Sequence, residues 1–269
     1  MSAVERWDSF LAQIEGRHRA VREEAAKQAR AAVATLASPD TSFISHGWAA
    51  IESRLQELEK RIADTWSEKV DDTFAAEGIV KETRMAALEK GDALRFTLEN
   101  AREELQQHIF ADAARELFAR AMANRRDRYC SECGAQFELP MCFRAIDLTC
   151  PRCGTRTQFE PGELMRGAAA VGVHALSQEA ALAEWLAMRK AERRAKAVRP
   201  PCPLALLKEY ERAQIAYWRV YVAARARLEP ELGRDPALEV RSRMEFWYTY
   251  SAEHEPEWVR GGRPREAIS

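Results

Sequence analysis

Apolar residues recur at alternating steps of three and four along the first third of the chain, which is the spacing of one face of an α-helix. The first stripe consists of Val4, Trp7, Leu11, Ile14, Val21, Ala25 and Ala32. It predicts one helix from about Ala3 to Leu36, on the order of 50 Å long, which Ser38-Pro39-Asp40 is expected to end. His18 lies in the same seam, where we expect a partly exposed packing residue and assign it no function.

A second stripe keeps this spacing and then changes to steps of four. Its members are Ile44, Trp48, Ile51, Leu55, Leu58, Ile62, Trp66, Val70 and Phe74. The change near Trp66 is a stutter, which unwinds supercoiling locally and favours a bundle over a long two-stranded rod. A third stripe, from Leu88 to Leu117, is interrupted at Gly91-Asp92, where one helix is expected to end and another to begin. Residues 1–126 thus predict a coiled-coil-like helical bundle that covers its own stripes or also pairs with a second chain.

The pattern changes at residues 127–161, where two Cys-x-x-Cys-Gly motifs replace the helical stripes. Cys130 and Cys133 precede Gly134, and Cys150 and Cys153 precede Gly154, giving C-x2-C-x16-C-x2-C. Two residues between cysteines allow a tight turn to direct both sulfurs at one ion, and the following glycine can adopt the positive φ that completes the turn. This spacing is typical of a four-cysteine zinc site.

These motifs resemble the two knuckles of zinc-ribbon modules, and the resemblance covers only about residues 127–161. It implies that Cys130, Cys133, Cys150 and Cys153 bind a structural Zn²⁺ as thiolates, with no open position for catalysis. Short strands are expected in the apolar or alternating stretches 135–139, 142–148 and 155–159. A rubredoxin-like iron site and a redox dithiol are the alternatives to zinc. The two other cysteines, Cys142 and Cys202, are expected to be non-catalytic.

Helical patterns return in residues 162–269. A helix is expected to start at Pro161-Gly162-Glu163, and the apolar stretch is expected to end in basic residues 189–199. Pro200-Pro201-Cys202-Pro203 is expected to act as a linker before a helix over Leu204 to Leu228. Aromatic residues of this region either form a core or contact a partner. The candidates for partner binding are Tyr217, Trp218, Tyr221, Trp247 and Trp258. Residues 261–265 predict a basic tail.

Composition and charge limit the classes of function. The chain has 41 basic and 42 acidic side chains, so a net charge of -1 gives no global attraction to nucleic acid or anionic membrane. There is no apolar stretch long enough to cross a bilayer and no signal peptide, so we expect a cytoplasmic protein. No phosphate loop, nucleophile elbow or zinc-protease motif occurs, which makes an enzyme the less favoured class.

The sequence therefore predicts a mainly α protein in which long helical hairpin or bundle arms flank a small β zinc ribbon. The favoured function is a non-catalytic, zinc-binding scaffold or adaptor that binds a protein partner or a second copy of itself. The alternative is a nucleic-acid-associated zinc-ribbon factor of the transcription or translation type. Its candidate contacts are Arg125, Arg126, Arg128, Arg189, Lys190, Arg193, Arg194 and Lys196.

Overall fold

The chain folds into two compact units, Met1–Ile109 and Phe110–Ser269. The computed structural model describes residues 1–35, 42–123, 128–199, 202–229 and 235–254. The fold is mainly α with one small antiparallel sheet, which confirms the predicted fold class. The division into segments 1–126, 127–161 and 162–269 stays a prediction.

The first unit is built from helices that pack side by side. It contains α1 (Ala3–Ala34), α2 (Ser42–Thr65), a π-helical turn (Trp66–Val70), α3 (Asp71–Ala76) and the first part of α4 (Lys81–Met122). Helix α1 begins at a capping box, in which the Ser2 hydroxyl accepts from the Glu5 amide and the Glu5 carboxylate accepts from the Ser2 amide. Because Trp7 contacts Trp66 and His18 contacts Glu59, α1 and α2 run antiparallel.

The predicted stutter coincides with the π-helical turn. In an α-helix with 3.6 residues per turn, a stripe with steps of four drifts around the helix, and a wider π-helical turn reduces that drift. The Asp71 amide donates to the Trp66 carbonyl across this wider turn. Trp66 and Phe74 are both buried, with ring centroids 5.6 Å apart. The extra residue therefore keeps the apolar stripe on the core at the point where its spacing changes.

The predicted break at Gly91-Asp92 is wrong, because α4 is continuous from Lys81 to Met122. A Cβ atom on Gly91 would lie 2.8 Å from Cζ2 of Trp7, which is too close for two carbon atoms. The Trp7 indole is buried and its Nε1 donates to the Ala87 carbonyl at 2.9 Å. The glycine therefore gives the indole room against α4 and does not end a helix.

His18 is fully buried, so the expectation of a partly exposed packing residue is wrong. Its Nε2 lies 3.2 Å from Oε1 of Glu59, which also accepts from Nε of Arg102 at 2.9 Å. Nη1 of Arg102 donates in turn to Glu52 at 3.0 Å. Burial raises the pKa of Glu59, but the hydrogen bonds from His18 and Arg102 outweigh it and hold that pKa below its usual value. The first unit thus contains a buried charged network.

The second unit combines the ribbon with four further helices and the end of α4. It contains β1 (Ile146–Thr149), β2 (Arg156–Phe159), α5 (Glu163–Ala180), α6 (Leu182–Lys196), α7 (Leu204–Leu228) and α8 (Pro236–His254). The two strands pair antiparallel, with Ile146 opposite Phe159 and Thr149 opposite Arg156. Residues 135–139 form no strand and contribute only the bridge between Tyr129 and Gln136, which corrects the prediction there.

Helix α7 is central in the second unit, because α5, α6 and α8 all pack against it. Its predicted bounds, Leu204 to Leu228, are confirmed. Helix α5 approaches α4 closely at Gly172, where an added Cβ atom would overlap the Cβ atom of Ala114. In the described parts of the chain, we find no helix with the length and apolar character needed to cross a membrane.

Candidate metal centre

The first knuckle is a tight turn between Cys130 and Ala135. The Gly134 amide donates to the Cys130 carbonyl at 2.9 Å, and the Cys130 amide donates to the Ala135 carbonyl at 2.8 Å. Gly134 has a φ of 67°, a left-handed conformation that glycine adopts without steric cost. The turn places the Sγ atoms of Cys130 and Cys133 on the same side.

The second knuckle repeats this geometry between β1 and β2. The Gly154 amide donates to the Cys150 carbonyl at 3.0 Å, the Cys150 amide donates to the Thr155 carbonyl at 2.8 Å, and Gly154 has a φ of 75°. The Arg152 amide also lies 3.4 Å from Sγ of Cys150. The knuckle is thus the turn of the only hairpin among the described residues, and the paired strands fix its direction.

The four sulfurs form a compact group with the dimensions of a metal site. Sγ of Cys130 lies 3.7 Å from that of Cys153, and Sγ of Cys133 lies 3.5 Å from that of Cys150. All four lie within 4.8 Å of one another. A tetrahedron with metal–sulfur bonds of ~2.3 Å has sulfur–sulfur edges of about 3.8 Å. The four cysteines can therefore hold a metal ion, as the spacing predicted.

The electrostatics of the cluster also favour a cation. The Ala135 amide lowers the pKa of Cys133, but burial and the three neighbouring thiols raise it to about 12. Hydrogen bonds with the Thr155 hydroxyl and amide instead lower the pKa of Cys153 to about 6. Thiolates this close repel one another, so the group ionises in steps unless a cation offsets the charge. The Thr155 hydroxyl, 3.2 Å from Sγ of Cys153, belongs to the site and was missed in the sequence.

The centre is embedded in a small apolar core that joins the ribbon to its neighbouring helices. Cys130 and Cys150 are buried in this core. The other buried members are Phe137, Leu139, Cys142, Phe159 and Met165, with Phe118, Ala121 and Met122 packed against them. The last three lie on α4 and Met165 lies on α5. The metal site is therefore connected to two helices of the second unit.

Cys142 and Cys202 are both outside the sulfur cluster. Cys142 is fully buried, with its Sγ 3.6 Å from Sδ of Met165, which fits the small buried hydrophobe expected from its apolar surroundings. Cys202 is 3 % exposed, and burial raises the pKa of its thiol. A raised pKa keeps a thiol protonated and unreactive, consistent with a non-catalytic role for Cys202.

The aromatic residues proposed to bind a partner have different environments. Tyr217 and Tyr221 are 4 % and 3 % exposed and belong to the core around α7, which favours the core alternative for both. Trp218 and Trp247 are half-buried against that core, and Trp258 lies outside the described residues. Among the described residues of this unit, the exposed large hydrophobic side chains are instead Tyr129, Phe143, Leu204, Leu238 and Phe246. On α8, the exposed Leu238 and Phe246 alternate with the buried Val240 and Met244, so the sequence alone did not separate exposed from buried apolar positions there.

The basic residues of the nucleic-acid alternative are partly neutralised. Arg189 and Lys196 both pair with Glu192, and Arg194 pairs with Glu209. The Arg189 guanidinium also lies 5.8 Å from the centre of the Trp185 ring. Each of these acidic partners lowers the local positive charge available to a phosphate backbone.

The other residues of that alternative lie on α6, beside the first knuckle, or outside the described residues. Lys190 is exposed and Arg193 is half-buried on α6, whereas Arg128 lies beside the first knuckle with a buried Nε. Arg125 and Arg126 lie outside the described residues, as does the predicted basic tail. Five of the six described basic residues of this alternative therefore lie on α6, and the sixth, Arg128, lies beside the first knuckle.

Comparison with known proteins yields no relative: no family model, no curated protein and no solved structure matches this chain. The four-cysteine group with its two-stranded sheet is consistent with a zinc-ribbon-like module. Function is accordingly inferred from the site itself.

Proposed function

We propose that the four-cysteine centre binds one structural zinc ion and that the protein is a non-catalytic adaptor built on this ribbon and its helices. The observation that carries the zinc proposal is the sulfur geometry, since separations of 3.5 and 3.7 Å match the edges of a tetrahedron around zinc. Four thiolates fill the coordination sphere and leave no position for water or substrate. The ion would then stabilise the ribbon and take no part in a reaction.

Elemental analysis of the purified full chain tests the metal. We expect about one zinc per chain and a large loss of zinc in Cys150→Ser, because structural zinc is held by all four ligands together. Cys142→Ser is the matched control, since Cys142 lies in the same core but its sulfur is outside the cluster. Iron in place of zinc, or equal zinc loss in both variants, would contradict the proposal.

The adaptor proposal is supported by apolar side chains that α8 exposes to solvent. Leu238 is 60 % exposed and Phe246 is 72 % exposed, and their spacing places them along one stripe of the helix. Exposed large apolar residues on a charged surface are typical anchors for a protein partner. Because several basic residues of α6 are paired with carboxylates, the same unit gives less support to the nucleic-acid alternative.

Affinity purification from the native cell, with mass spectrometry, tests the adaptor role. Leu238→Ser with Phe246→Ser should lose the partner that the wild type captures. Val80→Ser with Met85→Ser is the control, because these side chains are equally apolar, also exposed, and belong to the first unit. Light scattering of the pure protein separates self-association from capture of another protein. Salt-dependent binding of DNA or RNA, with the same partners for both double variants, would instead support the alternative.

A further inference from the structure

A cavity of about 490 Å³ lies in the second unit, away from the sulfur cluster. Helix α5 contributes Val173 and His174 to its wall, α7 contributes Trp218, Tyr221 and Arg225, and α8 contributes Arg243. Phe143, from the segment between the first knuckle and β1, is 51 % exposed at its edge. The volume lies within the range of small-molecule sites.

The lining combines aromatic rings with two cations, Arg225 and Arg243, and with the carboxylate of Glu229. The guanidinium of Arg243 lies 5.0 Å from the centre of the Trp218 ring, and Trp218 and Tyr221 meet edge to face at 5.5 Å. This arrangement holds the planar guanidinium in a fixed orientation. A flat ligand ring would find apolar and aromatic surface beside it.

Both arginines have carboxylate partners but keep donors for a further acceptor. Arg225 donates through Nε to Glu229 at 2.7 Å and also hydrogen-bonds the Tyr221 hydroxyl, but a guanidinium has about five N–H donors, so further donors remain. Among the described residues, Arg243 forms one ion pair, a long one with Glu239 at 3.7 Å, and its side chain is 43 % exposed. A guanidinium fork with remaining N–H groups is suited to a carboxylate or phosphate.

His174 is a further polar group in the lining. Its Nδ1 lies 2.8 Å from the Tyr221 hydroxyl, so the ring is held in place and Nε2 remains for another partner. Burial lowers the pKa of His174, and the nearby positive charges of Arg225 and Arg243 lower it further.

We propose that this cavity binds a small aromatic oxyanion, with a carboxylate or phosphate group held by Arg225 and Arg243 and a flat ring against Trp218 and Phe143. The proposal concerns neither the metal nor the α8 anchors, so it stands apart from the proposed function. It makes the second unit a receptor for a metabolite-sized ligand.

Ligand-observed NMR titration on the zinc-loaded full chain tests this proposal with three probes: 2-naphthoate, 2-naphthyl phosphate and the neutral 2-naphthamide. We expect saturable binding of at least one anion and at least tenfold weaker binding of the amide, since charge-assisted hydrogen bonds supply the difference. The anion that binds more tightly identifies the oxyanion. Absence of saturable binding by both anions, or equal binding of the amide, would overturn the proposal.

Variants locate the binding. Arg243→Gln should weaken the anion about tenfold or more, whereas Arg212→Gln, the same change at an exposed position of α7 outside the cavity, should leave it unchanged. Because the Phe143 ring is half-exposed, we expect Phe143→Ala to fold and to weaken binding severalfold, so the test survives if Arg243→Gln fails to fold. Equal weakening by Arg212→Gln, or no effect of Phe143→Ala and Arg243→Gln alike, would refute the site.

Discussion

Replacement of Arg102 by methionine should strongly destabilise the first unit. Arg102 lies 2.9 Å from Glu59, and the two side chains are 10 % and 6 % exposed. Methionine fills much of the same volume but leaves the Glu59 carboxylate buried with only His18 as a partner. Removal of one member of a buried ion pair costs about 3–5 kcal/mol. Because part of the Arg102 charge is paired with the partly exposed Glu52, we expect Arg102→Met to lower the free energy of unfolding by about 3 kcal/mol, the lower end of this range.

The measurement must separate the two units, since a single spectroscopic curve would average them. Pulsed hydrogen exchange with mass spectrometry along a urea series gives unfolding curves for peptides of α1, α2 and α4. With a urea dependence of about 2 kcal/mol per molar, 3 kcal/mol lowers the midpoint by roughly 1.5 M. Peptides of α7 and α8 should keep their midpoint and serve as the internal control.

A double variant distinguishes an orphaned charge from lost packing. Glu59→Gln combined with Arg102→Met removes both charges, so it should be clearly more stable than Arg102→Met alone. The pH dependence should change as well. The lowered pKa of Glu59 contributes stability above its unfolded value, near 4.5, that is lost as the pH falls through the folded pKa. A loss of less than ~1 kcal/mol in the free energy of unfolding for Arg102→Met, or a double variant that is no more stable than Arg102→Met, would contradict a buried ion pair at Glu59.

Two further predictions concern the core of the second unit. Gly172→Ala should destabilise that unit by about 1–3 kcal/mol, because the new methyl group would clash with Ala114. Gly16→Ala on α1 is the comparison: its methyl group would have no atom within 4 Å, so it should stabilise α1 by ~0.5–1 kcal/mol. Urea midpoints that shift in the same direction for both variants would contradict this. Burial raises the pKa of Tyr217 and Tyr210 to about 12, so the unit should lose stability as the pH rises from 10 toward 12. Ultraviolet titration of Tyr217→Phe should show one late-ionising tyrosine fewer; an unchanged late phase would place Tyr217 at the surface.

Features with a short sequence period were predictable from the sequence. The α1 seam and the bounds of α7 follow from helical spacing, and the sulfur cluster follows from two local Cys-x-x-Cys-Gly turns. Even the π-helical turn at Trp66–Val70 had a local signal, because the stripe changes there to steps of four.

Features set by contacts between distant segments were not predictable. The sequence around Gly91 predicts a helix end, but the glycine is there because the Trp7 indole, from another helix, occupies the position that a Cβ atom would need. The sequence predicts a partly exposed packing residue at His18, because its partners Glu59 and Arg102 lie on two other helices and cannot be identified from the local sequence. The aromatic residues of α7 and α8 share one helical spacing whether they face core or solvent, so Tyr217 and Phe246 could be separated only by their burial.

The dimensions of the ribbon explain why its cysteines matter more than its strands. Two strands of four residues each form four residue pairs, and an isolated hairpin of this size is at best marginally stable in water. The second knuckle lies at the turn of that hairpin, and the first knuckle lies beside the bridge between Tyr129 and Gln136. An ion bound to both knuckles would therefore hold the hairpin against the first knuckle. The helices around α7 have their own apolar core, with buried residues from α6, α7 and α8. Metal binding is therefore expected to set the stability of the ribbon locally, whereas side-chain packing sets that of the helices around α7.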